Sequence, residues 1–223
     1  MIRLPKPAVL AALVLSVAAC SLRPPAPDLV EAADTIRTDN GTPGPAASAD
    51  VFLAALAKHC GQAFAGRIVA NTPTPTTPDP FEGKSLLMHV RGCEDPTREL
   101  RVPFHVGDDR SRTWVITRTT RGLRLKHDHR HEDGSEDVLT QYGGETTSAG
   151  TARRQEFPAD AESIALFKRE GSAASITNIW AMEIEPGQRF LYELARPGGR
   201  LFQVEFDLRT PISPPPAPWG YRD

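Results

Sequence analysis

Between Phe64 and Leu208 the hydrophobic pattern keeps returning to a period of two, in short runs joined by turn-forming residues, and this is the signature of strands. The last part of the chain shows it most plainly. Ile176, Asn178, Trp180, Met182 and Ile184 fall on one face, and Pro186-Gly187 then turns the chain. Phe190, Tyr192 and Leu194 follow, and Pro197-Gly198-Gly199 turns it again into Phe202, Val204, Phe206 and Leu208. Hairpins with one apolar face are antiparallel. Upstream, residues 64–70, 84–91, 99–106, 112–119 and 123–131 read as strands, with weaker ones at 138–142 and 151–157 around the Gly143-Gly144 to Gly150 loop. Residues 71–80, rich in Pro and Thr, cannot join a sheet. Residues 160–169 fit a short capped helix stopped by Gly171 or one more strand. The sum is a mainly β chain of about nine or ten strands: an antiparallel up-and-down β-barrel or a sandwich. The barrel is preferred, because the strands meander through short turns and closure removes exposed edges.

One N-terminal α-helix precedes the strands. Ser48 is placed to cap a helix over 49–59 that ends at Gly61, with Phe52, Leu53, Leu56, Ala57 and Cys60 on its apolar stripe. His59 falls off that stripe and reads as a solvated cation at the helix end. Along the strands Leu86, Met88 and Val90 alternate with Leu87 and His89, and Val102, Phe104 and Val106 with Arg101, Pro103 and His105. His105 therefore looks out of the barrel, while His89 is ambiguous. Residues 48–210 form the barrel domain and 211–223 a Pro-rich tail, polyproline-like to Pro218 and stapled to the domain by Trp219 and Tyr221.

The first residues are an address. Arg3 and Lys6 make a positive start, and residues 8–17 an apolar run of about ten residues, far too short to span a bilayer. Val17-Ala18-Ala19-Cys20 resembles the lipobox of bacterial lipoproteins. The resemblance implies removal of residues 1–19, diacylglycerol on the Cys20 sulfur, and, with Ser21 instead of Asp at the second mature position, the periplasmic face of the outer membrane. The membrane is then a partner through a lipid anchor and is not spanned. Residues 20–47, with Pro24-Pro25-Ala26-Pro27 and Gly41-Thr42-Pro43-Gly44-Pro45, read as a disordered tether. Of the three cysteines this leaves Cys60 and Cys93, an even pair in an oxidising compartment and so a disulfide. Charge argues against nucleic acid: 26 basic and 28 acidic residues become 24 and 28 once Arg3 and Lys6 are removed, with no basic run interleaved with aromatics.

A helix followed by Cys60-Gly61-Gln62-Ala63-Phe64-Ala65-Gly66 opening an up-and-down barrel resembles the layout of the calycin group, the lipocalins and fatty-acid-binding-like barrels, over most of residues 49–209. The lipocalin signature Gly-x-Trp is replaced here by Gly61 with Phe64 three residues on. Asn178-Ile179-Trp180, Phe206-Asp207-Leu208 and Pro216-Ala217-Pro218-Trp219-Gly220 are similar to an uncharacterised family of bacterial secreted proteins, which implies no activity.

The chemistry concentrates between Leu123 and Gly144. Leu123, Leu125, His127, His129, His131 and Asp133 share one strand face, which starts apolar and ends in imidazoles, as an inner face would on reaching a wet mouth. Two readings of His127, His129 and His131 stand side by side. In one, His127 and His129 hold zinc or another transition metal, as H-x-H pairs do in carbonic anhydrases and cupins, with a third ligand from Asp133, Glu136 or a neighbouring strand. The outer two histidines, about 13 Å apart, cannot share one ion with the middle one. In the other reading the strand is a solvated or hydrogen-bonding hairpin end. No nucleophile completes the nearby carboxylates, since Ser135 stands in Asp-Gly-Ser-Glu, and the balance leans away from an enzyme. The glycines after Tyr142 read as a flexible hairpin loop. Three function classes follow: a lipid-anchored barrel holding a small, partly apolar ligand or lipid, with His127, His129, His131, Tyr142 and Arg153 near its mouth; a metal-binding protein or metalloenzyme; and a structural or assembly lipoprotein with a protein partner. The first is favoured by analogy with barrels of this size.

Overall fold

Alternation becomes architecture through one sheet of ten antiparallel strands: β1 (Ala63–Thr72), β2 (Leu86–His89), β3 (Glu99–Val106), β4 (Asp109–Arg118), β5 (Leu123–His129), β6 (Tyr142–Glu145), β7 (Arg154–Pro158), β8 (Ile179–Glu185), β9 (Arg189–Arg196) and β10 (Arg200–Asp207). Helix α1 (Pro45–Ala57) precedes them, and helix α2 (Ala161–Arg169) with a 3-10 turn (Ala173–Thr177) stands between β7 and β8. This computed structural model describes residues 45–74 and 79–222, so the lipobox, Cys20 and the stretch read as a tether up to residue 44 lie outside the described residues. The order in the sheet is β6-β5-β4-β3-β2-β1-β10-β9-β8-β7. The first and last strands pair, with Gly66 opposite Phe206, and the barrel is nearly closed. Its seam falls in mid-chain, between β6 and β7.

Two glycines make that seam. A Cβ on Gly143 would stand 1.9 Å from the Leu125 carbonyl oxygen, and one on Gly144 would stand 1.8 Å from that of Pro158. Only a chain without side chains approaches both neighbours so closely. The gap is bridged by the start of α2: the Asp160 amide donates to the Gly143 carbonyl at 2.9 Å. The Ser163 hydroxyl donates to that same oxygen at 3.0 Å and accepts from the Gly143 amide at 2.8 Å. Asp160 also caps α2 by accepting from the Ser163 amide at 2.8 Å. The Gly143-Gly144 pair is therefore strand and seam, not the loop expected, and the weak strand expected at 138–142 lies at Tyr142–Glu145 instead. At residues 160–169 the helix prevails over the strand.

Helix α1 contacts β4, β7 and β8, so it reaches strands from well-separated parts of the sheet. Phe52, Leu53 and Leu56 are buried in the same core as Phe64, Leu100, Ile116 and Phe157. Each such side chain contributes about 1.5–3 kcal/mol. The helix begins earlier than the capping pattern indicates: Pro45 is tolerated in a first turn, and Ser48 is an interior, buried residue of α1. The Cys60–Cys93 disulfide, with Cα atoms 6.1 Å apart, ties the turn after α1 to the segment after β2. His59 is a correction to the sequence reading. It is buried, bonded through Nδ1 to Gln62 Oε1 at 2.9 Å, and set edge-on to Phe64.

The tail crosses the outside of the sheet. Ile212 pairs with Ala63 of β1, and the Trp219 amide donates to the Arg110 carbonyl of β4. Between those anchors run β2 and β3, whose outward His89 and His105 are both buried. His105 thus points out of the barrel as expected, yet is only 2% exposed. The Tyr221 hydroxyl reaches buried Asp128, which also accepts from Arg130 Nε and Gln141 Nε2, each at 3.1 Å. The expected staple by Trp219 and Tyr221 is present.

Candidate functional site

β5 carries its alternation into the barrel and stops being apolar partway along. Leu123 and Leu125 are fully buried in the core, and His127, next on that face, is 3% exposed. Its neighbours are aromatic: Tyr142 stacks on it at 4.7 Å, Trp180 lies at 5.0 Å and Tyr192 at 6.0 Å. Both ring nitrogens are engaged. Nδ1 lies 3.2 Å from the Tyr142 carbonyl, which can only accept, and Nε2 lies 3.0 Å from the Tyr192 hydroxyl. The partners fix a neutral imidazole protonated on Nδ1, with Tyr192 donating to Nε2. Burial, aided by the neighbouring His129, lowers the His127 pKa to about 3. His129 follows, its Nε2 hydrogen-bonded with the Tyr142 hydroxyl at 3.2 Å, and burial with the nearby Arg112 charge lowers its pKa to about 4. Burial pushes Tyr142 up to about 12 and Tyr192 well above the ordinary phenol range. The polar heart of the barrel is thus uncharged at neutral pH.

Above this heart a cavity of about 350 Å³ opens towards solvent. Its apolar wall is a run of rings. Phe81 stacks on Phe104 at 5.8 Å, Phe104 on Trp114 at 5.0 Å, and Trp114 on Tyr192 at 4.4 Å, all within 20° of parallel. Trp180, Tyr142 and Phe167 complete it, with Phe202 and Leu194 nearer the rim. Polar groups gather around the opening: Ser172, Ser175, Asn178 and Asp137, with three arginines, Arg112, Arg196 and Arg200. Arg112 is ion-paired with Asp109 and lies over the Phe81 ring.

The cavity brings together three of the five ligand residues expected from sequence: His127, His129 and Tyr142. His131 lies beyond the end of β5, exposed, with Nε2 3.8 Å from Asp137. Arg153 is exposed and does not line the cavity; its carbonyl accepts from the Ile184 amide, near the far end of β8 from Trp180. As metal ligands, His127 would have to give up a partner on either nitrogen. Among the described residues no group of three or more His, Cys, Asp or Glu is placed to hold a metal ion. Sequence reasoning missed Arg112, Arg196 and Arg200. The readable signal lay in the turn, since Arg196 and Arg200 flank Pro197-Gly198-Gly199 and a hairpin there sets them opposite one another. Comparison with known protein families, curated proteins and solved structures returned no match.

Proposed function

We propose that this protein is a lipid-anchored envelope protein whose β-barrel binds a small, partly apolar molecule. The observation that carries the binding half is the cavity itself. About 350 Å³ of space, walled by stacked rings with a few polar groups at one rim, has the size and lining of a small-molecule site. A barrel serving only as a structural element would fill that volume with side chains, as the α1 end does with Phe52, Leu53 and Leu56. Binding without catalysis fits the neutral, hydrogen-bonded His127–Tyr192 and His129–Tyr142 pairs, because neither pair is poised to give or take a proton near pH 7. The anchoring half rests on the lipobox-like Val17-Ala18-Ala19-Cys20 and on the Cys60–Cys93 disulfide, which suits an oxidising compartment.

Native mass spectrometry of the full chain recovered from a bacterial envelope tests both halves. Bound organic mass on the wild type, lost in Ser172→Trp where an indole fills the mouth, is the expected result. Acyl mass on Cys20 is expected with it. A bare polypeptide that stays bare after incubation with an envelope lipid and metabolite extract would overturn the binding reading.

A further inference from the structure

The turn between β9 and β10 sets Arg196 directly opposite Arg200 as cross-strand partners, and both side chains line the cavity mouth. Like charges facing each other across a strand pair destabilise it. Several arginines on this sheet face carboxylates, Arg67 opposite Glu205, Arg124 opposite Glu145 and Arg154 opposite Glu183, and where Arg91 faces Arg101 the latter is paired with Glu99. At the mouth this compensation is missing. Arg196 donates to Asn178 Oδ1 and, at 3.5 Å, to Ser175 Oγ. Arg200 donates to Asn71 Oδ1 at 2.6 Å and to the Thr72 carbonyl at 3.4 Å, and its guanidinium lies over the Phe202 ring. All of these acceptors are neutral, and among the described residues neither arginine has a carboxylate partner. Both are half-buried, and burial together with the adjacent Arg200 charge lowers the pKa of Arg196. Arg112, the third cation on the rim, is paired with Asp109, the rim carboxylate Asp137 lies beside His131, and the histidines below are uncharged, so Arg196 and Arg200 are the rim cations without a carboxylate partner among the described residues.

Resting on the reading of the cavity as a ligand site, we infer that its occupant carries an anionic head group (carboxylate, phosphate or sulfonate) received by Arg196 and Arg200, with a flat apolar body against the Phe104–Trp114 rings. An anion between the two guanidiniums removes their repulsion and takes up their free donors in charge-assisted bonds. The parallel rings suit an aromatic or extended unsaturated body better than a branched one. Specificity divides accordingly, with shape read at the wall and charge at the rim.

Two fluorescent probes of nearly the same body separate these claims: anilinonaphthalene sulfonate and its uncharged counterpart phenylnaphthylamine. Each is titrated into the full chain, with energy transfer from tryptophan as the signal and protein-free buffer as blank. The wild type is expected to bind the sulfonate at least about tenfold more tightly than the amine. That preference is expected to vanish in Arg196→Gln/Arg200→Gln while amine binding holds. Equal affinity of the wild type for both probes overturns the inference and leaves the ligand-barrel reading intact; so does a preference that survives in the double variant. Binding of neither probe removes both. The wild-type comparison needs no variant, and Arg196→Gln alone, which keeps the Arg200 bonds to Asn71 and Thr72, covers a double variant that fails to fold.

Discussion

Acid should unfold this barrel before its carboxylates titrate, because it holds three histidines whose pKa values are strongly depressed. His105 and His129 are held at about 4 and His127 at about 3, against about 6.5 in an unfolded chain. Burial is the first cause in each case, and neighbouring groups add to it: His89, Arg110 and Arg91 around His105, Arg112 beside His129, His129 and Lys126 beside His127. Asp109 near His105, and Asp137, Asp109 and Asp128 near His129, oppose it without overcoming it. The folded values are depressed, so as pH falls through 6.5 the unfolded chain takes up protons that the native barrel refuses. Stability is therefore full above about pH 6.5 and is lost as the pH falls towards 4. Each group costs about 1.4 kcal/mol per pH unit, so the three cost about 4 kcal/mol per unit and about 7 kcal/mol between pH 7.5 and 4.5. Against a domain stability of about 5–15 kcal/mol, that brings the barrel to the edge of unfolding. Urea unfolding followed by tryptophan emission at pH 7.5, 6.0 and 5.0 measures the slope. His105→Leu isolates one share of it: His105 Nε2 is buried with no hydrogen-bond partner among the described residues. An apolar side chain there costs little at pH 7.5 and lowers the slope by about 1.4 kcal/mol per unit. Stability that stays flat from pH 7.5 to 5.0, or a His105→Leu slope equal to that of the wild type, would refute the reasoning.

Three further outcomes follow from particular contacts. Removing the disulfide in Cys60→Ser/Cys93→Ser opens a loop of sequence separation 33 and should lower stability by about 4 kcal/mol on the chain-entropy account, read as a urea midpoint that no longer responds to reductant. Gly144→Ala puts a methyl group 1.8 Å from the Pro158 carbonyl oxygen, so the seam must part; faster amide exchange at Asp160 is expected, with the β1–β10 amides far less affected. Asp128→Ala takes from Tyr221 and Arg130 a carboxylate that is only 2% exposed, at a cost of about 2–3 kcal/mol, and limited proteolysis should then trim the tail back towards Ile212.

The barrel was legible because period two is a local property. Trp180, Met182 and Ile184 declare an inward face whatever lies opposite them, and ten such faces joined by short turns leave few ways to bury them all. What was not legible depended on who stands across the gap. Gly143-Gly144 looks like a loop until the Leu125 and Pro158 carbonyls press on it from either side, and only then does the absence of side chains become the reason a strand fits. His59 and His105 look solvated in a local pattern. Phe64 covers one, and the other lies on the outer face between the two anchor points of a tail that joins the sheet from more than a hundred residues away in sequence. The site divides along the same line. His127 and His129 were visible as the polar end of an apolar face, whereas the rim arginines emerge only when the register of β9 against β10 is applied to the turn between them. Hairpin register is itself set locally, by turn length. Facing like charges across a short turn is therefore a feature that sequence can yield once strands are assigned. Here it places a positive pair without a carboxylate partner among the described residues at a cavity with room for something to answer it.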